Sequence, residues 1–111
     1  MNDPAAIVAA RLAELWRKSL PTTLERVAAL RAACDALGRN PADAEARTAG
    51  REAAHKLSGS LGVFGLPRGT EVASAMEDVL RTTEALTPQS VAVLAQQARE
   101  LEAVIASKSS S

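Results

Sequence analysis

The stretch Arg51-Glu-Ala-Ala-His55-Lys-Leu-Ser-Gly59-Ser-Leu-Gly62-Val-Phe-Gly65 holds the chain's one histidine, three of its six glycines and one of its two aromatic residues. On a helix that turns about 100° per residue, Ala46, Ala53, Leu57, Leu61 and Phe64 cluster on one side, with Ala54 at the edge. His55 falls on the other side, among Thr48, Arg51, Glu52, Ser58, Gly59 and Gly62. The imidazole is therefore expected to face solvent or a partner. A glycine in an exposed helix interior costs about 1 kcal/mol relative to alanine, yet Gly59 and Gly62 both lie on the histidine's face. A helix that only packed would gain from alanine there. A bare face makes sense where something large must come close to His55.

Working outward, the length of 111 residues fits one domain. Nearly half the residues are hydrophobic while only 2% are aromatic. That composition, rich in alanine and poor in the residues strands favour, points to closely packed helices. The formal net charge is zero, which argues against nucleic acid or an anionic membrane surface as the main partner. One cysteine, Cys34, excludes an intrachain disulfide and suits a reducing cytoplasm. No apolar run is long enough to span a membrane. The N-terminus lacks the basic start and apolar stretch of a signal peptide, so a cytoplasmic location is expected. The bundle is expected over residues 1–106, with 107–111 a serine-rich flexible tail or linker stub.

Five helices are expected along the chain. Asp3-Pro4 reads as an N-cap followed by proline at the first helical position, opening a helix with Ile7/Val8, Leu12 and Leu15/Trp16 at helical spacing. Pro21 ends it near Ser19, because a proline pushes its predecessor out of the helical region. Thr22-x-x-Glu25 is a capping-box pattern for a second helix, with Leu24, Val27, Leu30/Arg31, Cys34 and Leu37 as its stripe and Gly38 as its stop. Asn40-Pro41 opens a third helix running to about Val63, its seam formed by Gly50, Ala54, Leu57, Leu61 and Phe64. Arg68 to Thr82 makes a fourth, facing Gly69, Val72/Ala73, Met76 and Val79/Leu80 inwards. Thr87-Pro88 caps a fifth, with the stripe Val91, Leu94, Ala98, Leu101 and Ile105. Short connections make neighbours antiparallel. The expected architecture is all-α: an antiparallel up-down four-helix bundle with an additional N-terminal helix, anchored by Trp16.

The chemistry on offer is narrow. A neutral imidazole is a fair nucleophile, but there is no second histidine, and Cys34 falls on an apolar stripe. A zinc site of histidine and cysteine ligands is thus disfavoured. No GxxxxGK[ST] loop or nucleophile elbow occurs. An exposed histidine alone reads equally well as an ordinary surface residue, and Arg51, Glu52 and Lys56 as a solvated face. The neighbouring glycines tilt the balance. Arg51 at i−4 is placed to bring positive charge to a phosphoryl group, which carries nearly two negative charges. Ser58 at i+3 is placed to donate to that group or to the helix backbone.

His55-Lys-Leu-Ser-Gly59-Ser-Leu-Gly62-Val-Phe64-Gly65 resembles the phosphoacceptor motif of histidine-containing phosphotransfer domains. The likeness is greatest to the version in the chemotaxis histidine kinase, with glycines at +4, +7 and +10 from the histidine and phenylalanine at +9. Downstream, Ala73-x-x-Met76-Glu77 is similar to that family's Ala-x-x-(Leu/Met)-Glu. The resemblance implies that Glu77 hydrogen-bonds Nδ1 of His55 and leaves Nε2 free to take the phosphoryl group. The motif covers about a quarter of the chain. One departure stands out. The family usually has lysine at +3, where it helps hold the phosphoryl group; here that position is Ser58, and Lys56 sits at +1, about 100° away around the helix.

What the resemblance implies is a phosphoryl carrier with no intrinsic cofactor and no catalytic activity of its own. Its partners would be a receiver domain, bringing an aspartate and Mg²⁺, and/or a histidine kinase. Gly59 and Gly62 would let the partner approach, and Arg51, Lys56 and Ser58 would form the phosphoryl environment. Two alternatives stay open from the sequence: a helical interaction or dimerisation module that carries no phosphoryl group, and the substrate domain of a larger histidine kinase.

Overall fold

A computed structural model describes residues 3–82 and 84–109. Among the described residues there are four helices: α1 (Pro4–Arg39), α2 (Ala44–Val63), α3 (Pro67–Arg81) and α4 (Pro88–Ser109). There is no strand among the described residues. α1 packs on α2 and α4, and α3 packs on the same two, so the helices close a ring around one core. The all-α, antiparallel four-helix bundle is as expected from the apolar stripes and short connections.

The additional N-terminal helix is a correction. Pro21 does not end a helix but lies inside α1, which runs unbroken for 36 residues. A proline there removes one backbone donor, clashes with the carbonyl four residues back and costs about 3 kcal/mol. Burial on both sides offsets that cost. Trp16, Thr23, Val27, Leu30, Cys34 and Leu37 form one stripe that crosses Pro21 and is buried along its whole length. A break at Pro21 would swing Trp16 out of the core. Thr22 and Glu25, read as a capping box, are exposed mid-helix residues, and Leu24 points outwards at 51% exposure.

Trp16 is the anchor the sequence suggested. It packs edge-on against Phe64 at the end of α2, with ring centroids 5.2 Å apart at 67°, an arrangement aromatic quadrupoles favour. Lys108 of α4 lies 5.5 Å from the indole centroid. Before Trp16 the apolar residues do not pack as expected: Ile7, Val8, Leu12 and Leu15 are all exposed. At about 1.5 Å per residue α1 is roughly 54 Å long. It therefore spans nearly the whole 58 Å long dimension of the molecule.

Two helix boundaries also move. α1 passes through Gly38 to Arg39, and Asn40 is the capping residue, donating its N–H to Ala36 O at 2.9 Å. The Asn40 side chain then accepts from Ala42 N at 3.1 Å, a local turn that keeps Asn40-Pro41 out of the helix. α2 starts at Ala44 because the Asp43 carboxylate accepts from Ala46 N at 3.0 Å. The remaining ends follow the sequence. Gly65, at φ 73°, closes α2 with the paired bonds Leu66 N to Leu61 O and Gly65 N to Gly62 O. Thr87 and Ser90 cap α4 reciprocally through their side chains. α4 continues to Ser109, so part of the expected tail is helical; Ser110 and Ser111 lie outside the described residues.

The α4 stripe is buried throughout, as are Gly69, Val72, Ala73, Met76 and Leu80 of α3 and Gly50, Ala54, Leu57 and Leu61 of α2. This packing fixes how α2 and α3 face each other, which sets the site below. No helix among the described residues is long and apolar enough to cross a membrane.

Candidate functional site

The helical phase of α2 puts His55 on the outside. Its neighbours Ala54 and Leu57 are wholly buried, so the ring between them projects outwards with its side chain 72% exposed. α3 brings Glu77 to the same face. Met76 points into the core, and the next residue lies at the edge of the α2–α3 groove, its carboxylate largely covered at 19% exposure. Nδ1 of His55 lies 2.8 Å from Oε2 of Glu77. An ionised carboxylate only accepts hydrogen bonds, so this contact places the ring proton on Nδ1 and leaves the Nε2 lone pair on the open side.

Around this pair the structure gathers Arg51, Glu52 and Lys56 of α2 and Arg81 of α3, in a cleft of about 310 Å³. Three cations and the acids Glu52 and Glu77 thus surround one exposed imidazole. Of the expected residues, Arg51, Lys56 and Glu77 line this cleft. Ser58 is near but engaged elsewhere: its hydroxyl donates to His55 O at 2.9 Å, within the helix. Gly59 and Gly62 do not line the cleft; they continue the exposed α2 surface on the other side of His55. A Cβ on Gly59 would meet nothing within 4 Å, whereas one on Gly62 would lie 3.2 Å from Thr70 Oγ1. Nothing in the chain's own packing therefore calls for glycine at 59, while Gly62 also makes room for α3.

Two residues of this region escaped the sequence reading. Arg81 stands one turn after Glu77 on α3 and forms an ion pair with Asp78 at 2.8 Å. The i, i+4 spacing from Glu77 was the available signal. Arg47 lies further back on α2, and its guanidinium gathers the C-terminal end of α3. Nε donates to Leu80 O at 2.9 Å, Nη1 to Glu84 O at 2.8 Å, and Nη2 to Val79 O at 3.3 Å and to the carbonyl of Thr82. The last carbonyls of a helix lack backbone partners within it, and a fork of donors suits them; Val79 O also accepts from Thr82 Oγ1 at 3.0 Å. The sequence holds no signal for that pairing, because it depends on where α3 ends relative to α2.

No group of three or more histidine, cysteine or acidic side chains is placed to hold a metal among the described residues. Cys34 is buried between α1 and α4 with Sγ 3.7 Å from Leu94 O, and burial pushes its thiol up to about 11.

The Hpt domain family matches residues 11–107, and the chain belongs to that family. It is also similar to Protein RcaC of Microchaete diplosiphon, 32% identical over 78 residues. That alignment covers 70% of this chain and 12% of the other protein. No solved structure matches the chain. Hpt domains are phosphocarrier modules of two-component signalling.

Proposed function

We propose that His55 is the phosphoacceptor of a phosphorelay. Nε2 takes the group from the aspartyl phosphate of a receiver domain or from a histidine kinase, and passes it to another receiver. The observation that carries this reading is the 2.8 Å pairing of Nδ1 with Glu77 on a ring that is otherwise open. In transfer from a receiver, the Nε2 lone pair attacks phosphorus as the P–O bond to the aspartate breaks, its electron pair leaving on the carboxylate. The Nδ1 proton stays on the ring, which becomes cationic, and Glu77 is the counter-charge that stabilises it. Transfer onward reverses these steps. Phosphoryl transfer depends mainly on in-line positioning and charge stabilisation, so a rigid helix presenting one imidazole is sufficient on this side. The receiver supplies its aspartate and Mg²⁺. Gly59, bare without any internal packing reason, is the surface on which that partner rides.

The test is transfer from a pre-phosphorylated receiver with Mg²⁺, scored on the wild type and on His55→Gln. Label on the wild type only, lost in acid and kept in base, is the expected result. Label that survives His55→Gln would remove His55 from this role. The domain as substrate segment of a larger kinase uses the same chemistry. Labelling by a histidine kinase alone would select it. Labelling by neither donor would favour an interaction module without phosphoryl chemistry.

A further inference from the structure

We infer that Arg47 is a positioning residue for the phosphoacceptor: by holding the last turn of α3 against α2, it keeps the Glu77 carboxylate on Nδ1 of His55. The inference rests on the phosphocarrier reading above. Glu77 stands four residues before the end of α3 at Arg81, and helix ends open where few apolar groups hold them. Of residues 78–82 only Leu80 is buried; Val79 is half-buried, and Asp78, Arg81 and Thr82 are exposed. The Asp78–Arg81 ion pair within this turn joins two exposed side chains, and such pairs contribute little. The turn that follows Glu77 is thus thinly anchored by its own packing.

Arg47 supplies an anchor from α2. Its Nε donates to Leu80 O at 2.9 Å, and Nη2 to Val79 O at 3.3 Å, both partly buried. Nη1 reaches past the helix end to Glu84 O at 2.8 Å, and Nη2 donates also to Thr82 Oγ1 at 3.2 Å. One guanidinium therefore ties the last turn of α3, and the chain just beyond it, to a single point on α2. Gly50, three residues further along α2, serves the same approach. A Cβ there would lie 3.2 Å from Leu80 Cδ1 and 3.2 Å from Ala33 Cβ, so glycine lets α3 close on α2 where Arg47 grips it. Fixing Leu80 against Arg47 fixes Glu77, about one turn earlier on α3, against His55, about two turns later on α2. That contact has little slack. The Nδ1–Oε2 separation is 2.8 Å, and a hydrogen bond weakens beyond about 3.2 Å, whereas a helix advances about 1.5 Å per residue. A slip of α3 by one residue, or opening of its last turn, takes the carboxylate off the ring. The ring then loses the acceptor that holds its proton on Nδ1 and the counter-charge for its phosphorylated state. Arg47 itself lies outside the His55 cleft and acts only through Glu77, so the transfer step stays as written above.

The experiment compares the wild type, Arg47→Ala, Arg47→Lys, Glu77→Ala and the double variant of Arg47→Ala with Glu77→Ala, at a temperature where circular dichroism shows each to be folded. The tautomer of the neutral His55 ring is read from its ¹⁵N shifts, which needs no partner and no phosphoryl group. The wild type should carry its proton mainly on Nδ1. Arg47→Ala should move a large part of it to Nε2, as Glu77→Ala does, and Arg47→Lys should fall between. Transfer from a pre-phosphorylated receiver should slow about fivefold in Arg47→Ala, since a rate follows the fraction of molecules in the competent arrangement. With Glu77→Ala already present, Arg47→Ala should change neither the tautomer nor the rate further, because residues acting through one contact are not additive. A merely structural role for Arg47 would lower the melting temperature without moving the tautomer. An unchanged Nδ1–H population in folded Arg47→Ala would overturn the inference, and so would a fivefold slowing that persists without Glu77. Failure of wild-type His55 to take label would remove the phosphocarrier reading and leave the tautomer to decide whether Arg47 holds Glu77 on the ring.

Discussion

Replacing Arg47 with alanine tests how α3 is fixed against α2, and the cost follows from the bonds lost. The guanidinium donates to Leu80 O and Val79 O in a partly buried setting, and to Glu84 O, Thr82 O and Thr82 Oγ1 at the surface. Water replaces the surface bonds at little net cost. The two partly buried bonds have a charged donor, and at roughly 1 kcal/mol each their loss sums to about 2 kcal/mol. The positive charge at the C-terminal end of α3 adds a few tenths through the helix dipole. With an unfolding entropy of about 2.1 cal/mol/K per residue, 111 residues give about 230 cal/mol/K, so Tm should fall by about 9 °C. Urea unfolding should show a midpoint lowered by about 1–2 M with m unchanged. Arg47→Lys should recover about half, since an ammonium keeps the charge but not the fork. A loss under ~0.5 kcal/mol in Arg47→Ala, or a lysine variant as stable as the wild type, would refute the view that guanidinium geometry secures the end of α3.

Gly59→Ala should raise stability by about 0.5–1 kcal/mol, since the new methyl meets nothing within 4 Å and alanine is the better helix former; thermal melts decide it, and a lower Tm would show the site is not open. Gly59→Trp should leave the fold intact yet slow transfer from a receiver at least tenfold, and an unchanged rate would place the docking surface elsewhere. Pro21→Ala should stabilise by about 2 kcal/mol, the helix-interior penalty less the unfolded-state entropy proline removes; a destabilised variant would mean that α1 needs the proline. Cys34, its thiol pushed up to about 11 from an ordinary 9.0, should resist alkylation at pH 8 in the native state and react quickly in urea. Because the folded pKa is raised, its contribution to stability is present below about 9 and is lost as pH rises through 11. An alkylation rate equal in both states would contradict its burial.

Much of this protein is local and therefore readable in one dimension. The stripes Val91–Ile105 and Gly50–Leu61 repeat at three and four residues, and a helix has one way to bury such a stripe. The outward phase of His55 follows from Ala54 and Leu57 being the residues that pack. The Gly65 closure and the Thr87-Ser90 cap also rest on residues within one turn of each other. Pro21 was misleading for the opposite reason. Its local preference against helix is real, but it is outweighed by Trp16 and Phe64, which are 48 positions apart in sequence and in contact in the fold. The same separation hid Arg47, whose partners lie more than 30 residues downstream.

The sequence by itself thus determined an all-helical chain with one exposed, glycine-flanked histidine, since periodicity and turn chemistry act over a few residues. Only the tertiary structure decided that α1 is continuous and that Glu77 meets Nδ1. It also decided that Arg81 of α3 lines the His55 cleft with Arg51 and Lys56 of α2. Each of those depends on the offset and rotation of one helix against another, and these are set by packing of the shared core.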